Sequence, residues 1–314
     1  MLKILSTIIN SSDITMVEAS IPTFSAFCLH HDGASLLADQ EYLKQYEGIV
    51  RKYASFASTR PQDPVLATSA PVARKWRVAG LKAVKSVASS PALSSVAGRQ
   101  LDTVMPILLE NLWSPDPDYL PTIVSKAHVE EKVDTEKLLR RRGSMATVRT
   151  HDTSFEQTNP LALSGSTADA DKLDSEDISV LAIQCLKQIF VVNNRAQIRG
   201  GTLALIDFIV GRVQRNELVY TPTKLGEKED KGWATGVFLM IARWTPVQER
   251  YTVLVTAMEK LVRSQLTEES VPQELVLAMI IRALLRSDIN LIGLSVMDVL
   301  LGLIQHILRL LQLS

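Results

Sequence analysis

Apolar residues recur at three- and four-residue intervals along most of the chain, and no stretch alternates with period two for long enough to make a strand. Asp13 caps a predicted helix running to about His31, with Ile14, Val17, Ile21, Phe24 and Cys28 on one stripe. A second is expected over 39–58, where Leu43, Tyr46, Val50, Tyr53 and Ala57 recur. Pro71 suits the first turn of a third, reaching Ala88, and a fourth covers about 95–113 with Leu101, Met105, Leu108 and Leu112. Later helices are read at 176–192, 196–214, 233–243, 247–265, 272–285 and 289–313.

Antiparallel helices joined by short turns predict an all-α fold, a HEAT/armadillo-like helical solenoid. Internal prolines at Pro22 and Pro106 fit it, since solenoid helices often kink. Ser12-Asp13-Ile14 with Val17, Ser20 and Ile21 is echoed at constant offset by Ser287-Asp288-Ile289 with Ile292, Ser295 and Val296. The stretch 143–174 is rich in Ser, Thr, Asp, Ala and Asn and too poor in apolar residues to offset its ordering entropy. A long disordered internal loop is therefore expected there, dividing the chain into solenoid segments at 1–142 and 175–314.

Composition narrows the reading little. Lys plus Arg equals Asp plus Glu at 34 each, so no global field draws nucleic acid. Cys28 and Cys185, far apart in apolar surroundings, give no disulfide framework and suit a reducing compartment. The apolar tract from Ile289 to Leu313 invites a transmembrane reading, but Asp298, His306 and Arg309 argue for a buried solenoid helix. The first ten residues do not read as a signal peptide.

Motifs for chemistry are missing. Gly200-Gly201 lacks a preceding strand and a following Lys-Ser pair, and there is no nucleophile elbow and no C-x-x-C pair. Cys28, His30, His31 and Asp32 are neighbours whose side chains point in different directions on a helix, a poor metal set. No catalytic residue, metal or cofactor is implied, and the chain reads as a non-enzyme. A helical enzyme would need a cluster converging in a groove.

Charge is informative locally. Residues 51–100 hold nine basic side chains against one acidic one, Asp63. At 100° per residue Val72, Trp76, Ala79, Ala83 and Val87 share one helix face, with Arg74, Lys75, Lys82 and Lys85 largely opposite. Next to anionic lipid such a face contributes about 1 kcal/mol per Lys or Arg; the plainer reading is a solvated solenoid face. Arg140, Arg141 and Arg142 precede Ser144 at the mouth of the expected loop, a pattern that basophilic kinases read, or alternatively a nuclear-localisation-like patch.

Three stretches carry a specific likeness: SSDITMVEASIPTFSAFCLHHDGASLLADQEYLKQYEGIVRKYASFAS (11–58), VARKWRVAGLKAVKSVASSPALSSVAG (72–98) and EEKVDTEKLLRRRGSMATVRT (130–150). They resemble fungal members of the eighty-five-requiring family, whose animal relatives include Rolling blackout. The resemblance implies a rod of helix pairs against the inner leaflet, at the cytoplasmic face of the plasma membrane, with the cytosol as the alternative for a truncated chain. Implied partners are anionic inner-leaflet lipids, a phosphatidylinositol 4-kinase and its tetratricopeptide adaptor, with support of phosphatidylinositol 4-phosphate synthesis.

The chain departs from the family's pattern at both ends. The membrane-attachment region near the family's N-terminus and the long adaptor-binding tail are not matched, so the resemblance implies a truncated chain that does not restore kinase recruitment alone. Both ends are expected to leave apolar helices uncovered, Leu2, Leu5 and Ile9 at one and Leu300, Leu303, Ile304, Ile307 and Leu311 at the other, so self-association is expected. The rival reading is a soluble HEAT/armadillo-type protein-binding scaffold or cargo adaptor unrelated to lipid kinases.

Overall fold

A computed structural model describes residues 2–39, 45, 48–49, 64–90, 101–116, 118–146, 178–192, 194–218, 232–264, 267, 270–293 and 295–312. Twelve helices are found among them: α1 Leu2–Ile9, α2 Ile14–Leu29, α3 His31–Asp39, α4 Pro64–Ala88, α5 Leu101–Glu110 and α6 Tyr119–Ala146. They continue with α7 Ile178–Phe190, α8 Arg195–Gln214, α9 Trp233–Trp244, α10 Arg250–Arg263, α11 Val271–Arg286 and α12 Val296–Leu311. No strand occurs among the described residues. Helix packs on helix in two rows. One runs α2, α4, α7, α8, α10, α12; the other runs α6, α9, α11; and α5 is wedged between α7 and α8. This is the expected all-α solenoid.

Local chemistry sets several helix ends. Asp13 Oδ1 accepts from the Thr15 amide at 2.9 Å, the predicted N-cap, and Asn194 Oδ1 does the same for Gln197 at 3.1 Å. The first long helix stops at Leu29, with His30 in extended backbone, and the chain re-enters a helix at His31. Gly33 permits that tight junction: a Cβ there would lie 2.8 Å from both Phe27 Cδ1 and the Phe27 carbonyl oxygen. The third predicted helix begins at Pro64 rather than Pro71. Either proline suits a first turn, and the periodicity does not choose between them.

The last apolar tract is not one helix. Gly293 takes a left-handed backbone with φ 85°, and α12 starts only at Val296. Sixteen residues span about 24 Å, short of the ~30 Å of a hydrocarbon core. Among the described residues no helix is long and apolar enough to cross a membrane. The echo of Asp13 at Asp288 fails for a related reason. Asp288 accepts from Arg243 at 3.2 Å, and its segment forms a turn, not a capped helix.

The core has two parts. A smaller cluster joins Leu5 and Ile9 to Val17, Ile21, Phe24 and Cys28 of α2 and to Trp76, Ala79, Ala83 and Val87 of α4. A larger one begins with Val78, Leu81 and Val84 on the other side of α4 and continues to Val299. The expectation of an uncovered N-terminal helix is therefore corrected, because α1 folds back on α2 and buries Leu5 and Ile9. At the other end the expectation stands: Leu300, Ile304, Ile307 and Leu311 are exposed, while Leu303 packs inward.

Where α5, α8 and α9 meet, the Arg212 side chain is buried and pairs with Glu110 and Glu217. Its guanidinium lies 4.7 Å from the Trp113 ring centre and 4.9 Å from that of Phe208. Trp233 donates to the Leu112 carbonyl at 2.6 Å, completing a node that ties both rows together.

Candidate functional site

Helix α4 is the most basic element, and its surroundings decide what that charge can reach. Neighbours cover it on two sides, α2 on one and α7 on the other. Val72, expected on the buried stripe, is exposed, and the stripe toward α2 is Ala73, Trp76, Ala79, Ala83 and Val87. The second buried stripe is Val78, Leu81, Val84 and Ala88. The expectation of one broad basic face opposite one apolar face is corrected accordingly. With two sides covered, the cations are confined to strips between the walls.

Arg74 is exposed, whereas Lys75, Lys82 and Lys85 are only half exposed. Lys82 and Lys85 line a cleft of about 500 Å³ between α2 and α7. Lys85 Nζ donates to Gln184 Oε1 of α7 at 2.5 Å. Ser25 and Ser86 are bonded across the cleft at 2.6 Å, Ser89 donates to the Lys85 carbonyl at 2.7 Å, and Glu130 of α6 closes one side. Lys82 and Lys85 thus form a cleft pair, with the exposed Arg74 and the half-buried Lys75 about two to three turns away.

Burial acts on a cation the sequence reading did not single out. Arg77 is buried, and burial, with a smaller contribution from Arg74, pulls its guanidinium down to about 10. Its Nε finds no partner. Other residues missed from sequence are Ser25, Gln184 and Glu130. Gln184 carried the best signal, a polar residue inside the apolar run from Val180 to Leu186.

Ser144 and Arg140–Arg142 sit differently from the expectation of a loop mouth. Helix α6 continues through Ala146, so the triplet and the serine lie in its last turns. The helical periodicity of the charged stretch carries on for four residues past the expected boundary at 143. The rest of the expected loop, from 147 to 174, lies outside the described residues.

Of the weak metal set, Cys28 is buried against α4, while His30, His31 and Asp32 are exposed at the α2–α3 junction. Burial pushes the Cys28 thiol up to about 12, and the Cys185 thiol to about 12 as well, far from a reactive thiolate at neutral pH. Among the described residues no group of three or more His, Cys, Asp or Glu is placed to hold a metal.

A second cleft, of about 410 Å³, opens between α8, α10 and α12 over Met258, Val299 and Gly302. Arg195 stacks 5.0 Å from the Tyr251 ring centre at its rim.

No family model and no solved structure matches the chain. Curated relatives do. It is 57% identical to Protein EFR3 of Pyricularia oryzae over 99% of its length, covering 26% of that protein. To Protein EFR3 of Chaetomium globosum it is 54% identical, over 99% of the chain and 26% of the relative. To Protein efr-3 of Neurospora crassa it is 50% identical, over 99% and 28%. The chain spans about a quarter of the length of these relatives, and their names are not those of enzymes. The distinctive strings at 11–58, 72–98 and 130–150 lie in a chain that is alike from end to end, and the chain belongs to the eighty-five-requiring (EFR3) family.

Proposed function

We propose that this chain acts as a non-enzymatic scaffold segment at the cytoplasmic face of the plasma membrane, in the assembly that recruits a phosphatidylinositol 4-kinase through its tetratricopeptide adaptor. The observation that carries the reading is the likeness to fungal EFR3 proteins over 99% of the chain. Two physical features support it. The helices form one interlocked stack joined by buried apolar contacts and by nodes such as Arg212, as a spacer between a membrane and a partner requires. The α4 cations offer attraction to anionic headgroups without any helix entering the bilayer.

Arg74 and Lys75 supply most of that attraction in this reading, because Lys82 and Lys85 are turned into the cleft and Lys85 is engaged with Gln184. The test is cosedimentation of the purified chain with vesicles containing phosphatidylserine, against vesicles of phosphatidylcholine alone. Binding should require the anionic lipid and weaken with salt, since the Debye length is about 8 Å at physiological ionic strength. Replacing all four cations by Gln should remove most of the binding, and Arg74→Gln with Lys75→Gln should account for more of the loss than Lys82→Gln with Lys85→Gln. Equal binding to both vesicle types would overturn the membrane reading and leave the soluble cargo adaptor. Kinase localisation in cells expressing only this chain tests the recruitment part. Kinase gathered at the plasma membrane would support that part, and kinase left in the cytosol would count against it.

A further inference from the structure

The cleft between α2, α4 and α7 holds more hydrogen-bond donors than its own walls use. Lys82 and Lys85, three residues apart, stand on one side of α4 and line it. Like charges at that spacing repel one another. Glu130 is the one carboxylate among the described lining residues, so the cleft keeps a net positive charge. Lys85 spends one of its three N–H donors on Gln184 Oε1. Gln184 is only 4% exposed, and with that oxygen taken it has its two amide N–H donors to offer the cleft. Ser86 and Ser89 donate to the Lys82 and Lys85 carbonyls four residues back. The Lys85 carbonyl also accepts from the Ser89 amide at 2.9 Å, so that hydroxyl can turn to a ligand without leaving the carbonyl bare. The remaining wall is apolar, made by Ile21, Pro22 and Leu181, with Leu29 at the rim and 74% exposed.

We propose that this cleft binds one phosphate monoester at the end of a membrane lipid's headgroup, with Lys82, Lys85 and Gln184 holding the phosphate and Leu29 meeting the lipid's apolar part. A phosphate monoester carries about −1.5 to −2 charges and three terminal oxygens, enough to take donors from all three side chains at once. A carboxylate offers one charge and two oxygens. Glu130 would repel a second anionic group, so one phosphate is accepted and two are not. A volume of about 500 Å³ is far more than a phosphate alone fills, and apolar side chains line the surplus, where a lipid's glycerol and first methylenes can lie. An exposed leucine beside a pair of ammonium groups suits the same surface, the leucine dipping below the headgroups and the cations staying level with them. The choice of a lipid rests on the membrane reading proposed above, whereas the phosphate chemistry stands without it.

The test is cosedimentation of the purified chain with phosphatidylcholine vesicles carrying phosphatidic acid or phosphatidylserine at matched surface charge. The chain should prefer phosphatidic acid about tenfold, the worth of one charge-assisted hydrogen bond. Lys85→Met and Gln184→Leu should each bring that ratio close to one, with helical content unchanged. Arg74→Gln with Lys75→Gln should lower binding to both vesicles and keep the ratio. Equal binding to both vesicles by the wild-type chain, or a preference that survives both cleft variants, would overturn the proposal and leave the membrane reading standing. Calorimetry with soluble dihexanoyl phosphatidic acid and with inorganic phosphate reads the site without a membrane, and both should bind, inorganic phosphate more weakly. Binding there that depends on Lys85, with no binding to either vesicle, would keep the phosphate site and overturn the lipid as its carrier. Displacement of the vesicles by a phosphoserine peptide as readily as by dihexanoyl phosphatidic acid would overturn the lipid too, and assign the cleft to a phosphorylated protein.

Discussion

Helices α4 and α12 belong to the same row of the stack and are both amphipathic, yet their uncovered arcs are opposite in character. α4 is walled by α2 and α7, and what its neighbours leave open carries Lys75, Lys82, Ser86 and Ser89. α12 is held on one side by α10 and exposes leucine and isoleucine on the other. A charged strip between two walls costs nothing to leave in water and can meet an anionic surface. An apolar arc of the same width is paid for only when something covers it. The composition of the uncovered arc, more than helix burial alone, separates a solvent-facing element from one that needs a partner.

The largest effects should come from breaking that contrast in the core. Leu81 is fully buried on the α7 side of α4, whereas Ile304 is half exposed. Leu81→Ala should cost about 2–5 kcal/mol in urea unfolding. Ile304→Ala should stay within about 0.5 kcal/mol. Comparable losses at both positions would mean that the outer face of α12 is packed.

The next effect concerns what holds α12 down. The Arg309 guanidinium donates to the Ser264 carbonyl at 2.6 Å and to the Val262 carbonyl, both left open at the end of α10. Arg309→Met keeps the stem but removes both bonds, each worth about 1.5–3 kcal/mol when one group is charged. Amide exchange should accelerate in α12 while α4 and α7 stay protected. Unchanged exchange would assign the anchoring to the buried Glu274–His306 pair, where Ser264 and Ser270 hydroxyls donate to Glu274 at 3.0 and 3.2 Å.

Arg77 sharpens the comparison from the α4 side. Its folded-state pKa is lowered by burial, so the unfolded chain holds that proton more tightly. This group therefore costs stability at every pH below about 10, and the cost declines as pH rises from there toward the ordinary guanidinium value. Arg77→Met, which keeps the volume and removes the buried charge, should be neutral or stabilising by about 1 kcal/mol at pH 7. A loss of several kcal/mol would show that the guanidinium is well paired.

The fold was legible because 3.6-residue periodicity survives in nearly every helix, and the misplacements have specific causes. The α2–α3 break depends on how Phe27 meets Gly33, a close approach with no signature in the pattern. The seven-residue delay in α12 comes from the left-handed turn at Gly293, within an apolar tract that reads as continuous. The cleft was hardly legible at all. Ser25 and Ser86 meet across 61 residues, and Lys85 and Gln184 across 99, so only packing brings them together. The basic residues were visible, but whether they faced water depended on α7, whose place beside α4 no local pattern encodes.

The smallest effect is expected at the end of α6, where the expected phosphosite falls inside a helix. Ser144 lies two residues before the helix ends at Ala146, so a phosphate there would add about −1.5 to −2 charges beside the negative end of the helix dipole. That repulsion is worth about 0.3–1 kcal/mol in the last turn. Helical register places Arg140 four residues earlier on the same face, and an ion pair at that spacing returns about 0.2–0.5 kcal/mol. The two nearly cancel, leaving fraying of less than about 0.5 kcal/mol. Ser144→Glu should therefore raise amide exchange over 140–146 about twofold or less and leave α4 and α12 untouched. Slower exchange there would mean that pairing with the arginines outweighs the dipole, so that modification would extend the helix instead of shortening it. Whether the serine is modified at all is checked by phosphopeptide mapping of the protein from its native cells, where repeated recovery of only the unmodified peptide would remove the site.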